Sequence, residues 1–247
     1  MLAILQRALR ARRAVKIIAG LNNFNPDNVV RVVRAAQQGG ATFVDIACDP
    51  ALIRLVRQTV DLPVCVSAVE APKLLEAVRN GADLVEIGNF DSFYPLGITF
   101  DAEAVMALAR ETRALLGPSI PLSATVPHIL SLDAQASLAI RLEKLGVDMI
   151  QTEGGTSSQP HHAGTLGLIE KAAPTLAAAH EISRAVSIPV LCASGLSDVT
   201  VPLALASGAS GVGVGSAVNR LGDELAMVAQ VRTIVEAVES AHRRLRV

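Results

Sequence analysis

Aromatic surface is what this 247-residue chain lacks most: Trp is absent, Tyr occurs once, and all aromatics together make up 2%. Base-stacking platforms and aromatic sugar sites are therefore disfavoured. Cysteine is scarce too. Cys48, Cys65 and Cys192 form no CxxC pair and are odd in number. That argues against a disulfide framework or zinc ribbon and favours reduced, buried thiols of a cytoplasm-like compartment. No apolar run approaches the ~20 residues of a membrane span. A net charge of −1 offers no basic excess for a nucleic-acid partner.

What is abundant is aliphatic. Hydrophobic residues make up 51% and charged residues 18%, the balance of a globular chain with one large core. Apolar runs at 15–20, 42–47, 64–68, 84–88, 122–126, 149–153, 190–194 and 211–214 read as strands. Helical patterns occupy 27–38, 51–59, 73–79, 102–115, 133–145, 175–186 and 199–207, and a last helix spans 224–244. Glycines at 39–40, 81, 146 and 208 each stand just before a strand, where C-terminal helix caps belong. That recurring punctuation (GATFVDI, GADLVEI, GVDMIQT, GASGVGV) leaves little room for a domain boundary. Eight strands joined by crossover helices predict an α/β chain with an all-parallel sheet closed into a (β/α)8 barrel. This TIM-barrel architecture is expected as a single domain over 1–247. The N-terminal MLAILQRALRARR is Arg-rich and acid-free, which superficially suits a targeting peptide. A strand follows almost at once, so the segment reads as a short helix covering the barrel bottom.

Strand alternation sorts the interior. Taking the polar parity as inward points Lys16, Asp45, Cys65, Ser67, Glu86, Ser123, Thr125, Gln151, Glu153, Cys192 and Ser194 into the barrel. Barrels usually fill that space with branched apolar side chains, so Lys16, Asp45, Glu86 and Glu153 are the candidate catalytic residues. Lys16 has three open roles: an imine-forming amine, an electrostatic or phosphate-contacting cation, or a structural ion pair. Nearby acids raise a lysine pKa and oppose the first. Glu153 stands at the end of strand six, where a general base for proton abstraction beside a carbonyl would sit; an anchor for the following loop is the alternative.

The stretch 189–220 carries two successive strands that end in Ser/Gly turns, each leading into a helix. Ser194, Gly195, Gly213, Gly215 and Ser216 form the candidate phosphate cradle, since glycine turns after strands seven and eight suit a phosphate dianion. Asn22, Asn89, Thr125 and His128, in or beside top-face loops, are candidate substrate contacts. Phe90, Phe93 and Tyr94 cluster on the loop after strand four, as a wall for a small substrate or as local packing. The loop 154–165 reads as a lid or binding loop. Its adjacent His161 and His162 have no third ligand at a recognisable spacing, so no metal site is expected and surface roles are favoured.

The segments KIIAGLNNF (16–24), DIACDP (45–50), CVSAVEAP (65–72), EIGNFDSFY (86–94) and TEGGTSS (152–158) resemble the plastid reading-frame-23 family of cyanobacteria and algal or plant plastids, nearly end to end. The resemblance implies an aldolase-type, phosphate-binding barrel and a photosynthetic source, and it transfers no catalytic residues. The segment ASGLS…GVGVGSAVN is also similar to the phosphate site of thiazole synthase. That enzyme's strand-borne lysine has no match here, because the third strand and its loop carry no lysine before Lys73.

Three readings follow. The first is a metal-independent isomerase, epimerase, aldolase or synthase acting on a small phosphorylated metabolite, with no cofactor. The second is a binder of flavin phosphate (FMN), and the third a non-catalytic sensor or partner protein that keeps the pocket. The expected setting is the cytoplasm, or the plastid stroma for a plastid-encoded chain. The hydrophobic excess hints at a homo-oligomer.

Overall fold

The computed structural model describes residues 2–244; the single-domain expectation also covers Met1 and 245–247, which lie outside the described residues. Helix α1 (Leu2–Arg10) precedes β1 (Ala14–Gly20), and the alternation then runs α2 (Pro26–Gly39), β2 (Phe43–Ala47), α3 (Pro50–Thr59), β3 (Val64–Ala68), α4 (Ala71–Arg79) and β4 (Leu84–Ile87). The second half follows with α5 (Ala102–Leu116), β5 (Leu122–Thr125), α6 (Leu132–Leu145), β6 (Met149–Gln151), α7 (Gly164–Ala185), β7 (Val190–Ala193), α8 (Val201–Ala206) and β8 (Gly211–Val214). A four-residue α9 (Ser216–Asn219) and a long α10 (Glu224–Arg244) complete the described chain. The strands pair in parallel in the order β1 to β8 and close, with Lys16 of β1 opposite Gly213 of β8.

Local chemistry explains the helix limits. Asn25, Asp49, Asp101 and Ser131 each cap a helix by accepting the backbone N–H three residues on. Gly40, Gly81, Gly146 and Gly208 leave their helices at φ of 88°, 109°, 93° and 104°, a left-handed region that glycine enters without strain. The aliphatic core lies between the barrel and its helical ring. A second cluster, of Phe43, Cys65, Leu84, Met149 and Leu191, fills the barrel floor and is covered by Leu5 and Leu9 of α1. The N-terminal helix therefore closes the bottom, as expected.

Three details differ from the sequence reading. β6 ends at Gln151, so Glu153 stands in the turn beyond the strand. α7 begins at Gly164, eleven residues before the patterned segment at 175, because Pro174 reads as a breaker but sits inside this helix. The parity assigned to β7 is reversed. Leu191 joins the floor cluster, whereas Cys192 points outward, with its Sγ 3.7 Å from Thr175 Oγ1 on α7. A buried thiol behaves as a small hydrophobe, so its presence did not mark the inward face.

Candidate active site at the C-terminal mouth

Two polar layers stack along the barrel axis, and the lower one is sealed. Lys16 is 0% exposed. Its Nζ lies 3.1 Å from Asp45 Oδ2, 2.9 Å from Glu86 Oε2 and 3.0 Å from Gln151 Oε1. Ser67 donates to Asp45 and Ser123 to Glu86, each at 2.7 Å. Burial works against the Lys16 charge, but Asp45 and Glu86 together outweigh it and hold the ammonium above its ordinary pKa. Burial likewise raises the Glu86 carboxyl, against the pull of Lys16. A protonated lysine locked among its partners has no lone pair for imine formation.

Gln151 and Asn89 connect this layer to the one above. Gln151 Nε2 donates to Glu86 Oε1 at 2.7 Å, and Asn89 Nδ2 donates to the same oxygen at 3.2 Å. Asn89 takes φ 64°, and its backbone N–H meets Thr125 Oγ1 at 3.3 Å. The lysine cluster thus props a strained residue that lines the mouth.

The upper layer is built around Asp91, His128 and Glu153, from the loops after β4, β5 and β6. Asp91 and Glu153 are 5% and 3% exposed. His128 Nδ1 lies 3.2 Å from Asp91 Oδ1 and 3.3 Å from Glu153 Oε1. Glu153 also accepts the Tyr94 hydroxyl at 2.6 Å and the Asp91 backbone N–H at 3.1 Å. Asp91 accepts the Ser157 and Ser194 hydroxyls, both at 2.9 Å, and the Gly154 N–H at 3.1 Å. The hydrogen bond to Glu153 raises the His128 pKa against partial burial, and the Asp91 charge adds to it. Burial, then the Glu153 charge, pushes the Tyr94 phenol up.

A cavity of about 330 Å³ opens at the C-terminal ends of the strands, where sites of this fold lie. Asn89, Asp91 and Glu153 form one wall; Ser194, Gly195, Gly215 and Ser216 form another, with Asn219 and Arg220 beside it. Ser194 holds φ 74°, and its hydroxyl donates to Asp91 Oδ2 at 2.9 Å, so the two walls touch at this point. Gly155 and Gly195 meet so closely that a Cβ on Gly155 would lie 2.4 Å from the Gly195 backbone. Asn219 Nδ2 donates to the Ile18 carbonyl at 2.9 Å, while its buried Oδ1 has no partner. Arg220 is exposed and has no ion pair among the described residues.

Six of the residues singled out from sequence therefore share this cavity: Asn89, Glu153, Ser194, Gly195, Gly215 and Ser216. Lys16, Asp45, Glu86 and Thr125 lie beneath it, as does Gly213, where a Cβ would collide with Ala193 at 2.8 Å. His128 stands behind Glu153. Asn22 lines a separate recess with Phe24, Cys48 and Phe93. Phe90 is buried with its ring 4.5 Å from that of Phe100, and no aromatic lines the main cavity, so the β4 loop aromatics pack locally. His161 and His162 are exposed and tied to Glu170 of α7 by backbone N–H bonds of 2.8 and 3.1 Å. Sequence reasoning missed Asp91 and Arg220 as site residues, and it read Tyr94 as a substrate wall or local packing, whereas the Tyr94 hydroxyl donates to Glu153. The only sequence signal for Asp91 was its place in the EIGNFDSFY segment.

Fold and cavity together define a (β/α)8 barrel with its polar groups gathered at the strand C-termini. Within that class, the chain belongs to the family described as "Protein of unknown function (DUF561)", whose model matches residues 1–244. A relative, "Uncharacterized protein ycf23" of Cyanophora paradoxa, is 43% identical over 221 residues, covering 89% of this chain and 90% of the relative. The plastid resemblance read from the sequence is thereby established. Among solved structures, thiamine phosphate pyrophosphorylase from Pyrococcus furiosus aligns with a TM-score of 0.61 at 22% identity, over 94% of this chain and 98% of that one. A 3-hexulose-6-phosphate synthase aligns with a TM-score of 0.65 at 14% identity, over 91% and 99%. At these identities the likeness is one of fold. No described helix is long and apolar enough to cross a membrane.

Proposed function

We propose that this chain is an enzyme acting on a small phosphorylated metabolite. Its phosphate sits on the turns after β7 and β8, and the reacting carbon faces Glu153 and Asp91. The observation that carries this reading is the two-ended cavity: glycine turns and the unpaired Arg220 on one side, two buried carboxylates on the other. Backbone N–H groups of Gly195, Gly215 and Ser216, with the Arg220 guanidinium, suit a dianion. The volume of about 330 Å³ matches a small metabolite. Names of the fold neighbours, thiamine phosphate pyrophosphorylase and 3-hexulose-6-phosphate synthase, support the class of ligand.

The carboxylate wall suits proton transfer beside a carbonyl, the step shared by isomerases, epimerases and aldolases. Glu153 is the candidate base, oriented by Tyr94 and His128. Lys16, Asp45 and Glu86 act as positioning residues, through Gln151 and Asn89. Because no aromatic lines the cavity, a flavin ring has no stacking partner there, and FMN is the weaker occupant.

The test is mass spectrometry of whatever co-purifies, followed by equilibrium dialysis with inorganic phosphate. A phosphorylated small molecule in the extract, and phosphate binding reduced more than about tenfold in Arg220→Ala and Gly215→Asp, is the expected result. A yellow protein carrying FMN, or phosphate binding indifferent to both substitutions, would defeat the proposal. Ligand binding without turnover of the identified ligand or its metabolic neighbours would point to a sensor.

A further inference from the structure

We propose that Asp91, His128 and Glu153 form a binding site for a divalent cation of the manganese or zinc type. Their three donor atoms lie within 4.8 Å of one another although they come from three separate loops. His128 Nδ1 stands 3.2 Å from Asp91 Oδ1 and 3.3 Å from Glu153 Oε1. Ligands held at ~2.0–2.2 Å from one ion, at tetrahedral to octahedral angles, are separated by roughly 3.0–3.6 Å. Two of the three separations therefore already match those of ligands around one ion, and the third is within 4.8 Å.

Charge gives an independent reason. Asp45, Glu86, Asp91 and Glu153 are all at most 5% exposed. The one fully buried lysine, Lys16, contacts only the first two. Among the described residues, no lysine or arginine pairs with Asp91 or Glu153; their single cationic partner is His128. An imidazolium supplies one positive charge against two carboxylates, and burying the excess is expensive. A divalent cation cancels both.

The surroundings are those of a prepared ligand set. Hydroxyls of Tyr94, Ser157 and Ser194, and backbone N–H groups of Asp91, His128 and Gly154, already donate to the two carboxylates and fix their orientation. Asp91 and Glu153 line the cavity, which leaves coordination positions open to a ligand. Two carboxylates with one imidazole favour manganese or zinc over magnesium or calcium, which prefer all-oxygen sets. The cation site keeps the ligand class of the preceding subsection. With the ion bound, the cation would polarise the oxygen beside the reacting carbon and Glu153 would be its ligand; the base role given to Glu153 above belongs to the metal-free chain.

The test uses the full chain, stripped with chelator, desalted into phosphate-free buffer and titrated separately with MnCl2 and ZnCl2 by calorimetry. One ion per chain is expected, with affinity lowered more than about tenfold in Asp91→Asn and His128→Ala. His162→Ala, which removes a histidine–carboxylate pair outside the cavity, should bind as wild type. Wild-type protein that takes up neither metal, or metal affinity unchanged in folded Asp91→Asn and His128→Ala, overturns the site. Should those variants misfold, electron spin-echo spectroscopy of Mn2+ on the wild type decides: nitrogen coupling from one imidazole is expected, and its absence refutes the assignment. Because phosphate is excluded here, and the phosphate experiment substitutes only Arg220 and Gly215, failure of either proposal leaves the other standing.

Discussion

At the scale of single residues, Lys16 has the sharpest consequences. Replacing it by Met leaves Asp45 and Glu86 buried without their cation, an arrangement that costs about 3–5 kcal/mol. Urea unfolding at pH 8 should read a loss of that size. The pH dependence has a definite sign. Burial already raises the Glu86 carboxyl above its ordinary pKa despite Lys16. Without the cation, the folded state would bind protons that the unfolded chain has released, so stability falls as pH rises. The deficit of Lys16→Met should therefore shrink between pH 8 and pH 5. A deficit that grows over that interval would mean the carboxylates are not buried together. The sequence showed that Lys16, Asp45 and Glu86 face one another, because polarity on the inward parity is rare in barrels. It did not show that they are closed off, since depth along the axis follows from strand stagger and from side chains such as Gln151 that bridge the layers.

Elements tell a different story, because here the pattern of the chain was largely sufficient. All eight strands and most helices lie where aliphatic runs and capping glycines place them. The early start of α7 was hidden by Pro174, and the orientation of β7 by a thiol that packs like a hydrocarbon. Element-level predictions follow from two contacts. Leu5 of α1 is 3% exposed under the barrel floor, so Leu5→Ala should lower unfolding stability by about 2–5 kcal/mol. Stability unchanged in thermal and denaturant unfolding would detach α1 from the floor. Gly155 abuts Gly195 between the turns after β6 and β7. Adding a methyl there forces the two backbones apart, costing about 1–3 kcal/mol and moving the candidate phosphate turn. Gly155→Ala should thus weaken inorganic phosphate binding, and an unaltered affinity would uncouple that turn from the site. The loops themselves were less legible. Asp91, His128 and Glu153 are far apart in sequence, and only barrel closure brings their donors together, so no motif spacing could announce them.

For the molecule as a whole, the fold provides a floor sealed by α1, a buried ionic layer, and an open mouth with contrasting walls. Any anion seated at that mouth binds the folded chain and not the unfolded one. Concentrations near one hundred times the dissociation constant should then raise unfolding free energy by about 2.7 kcal/mol. A melting temperature insensitive to high inorganic phosphate would argue against the anion wall. Asp91 gives the mouth one further property. Its carboxylate accepts from Ser194 on the β7 turn, from Gly154 and Ser157 on the β6 loop, and faces His128 beyond β5. Whatever reorients that carboxylate is felt on both walls. A cation at one end and an anion at the other would be thermodynamically linked without touching, each tightening or loosening the other by the same factor.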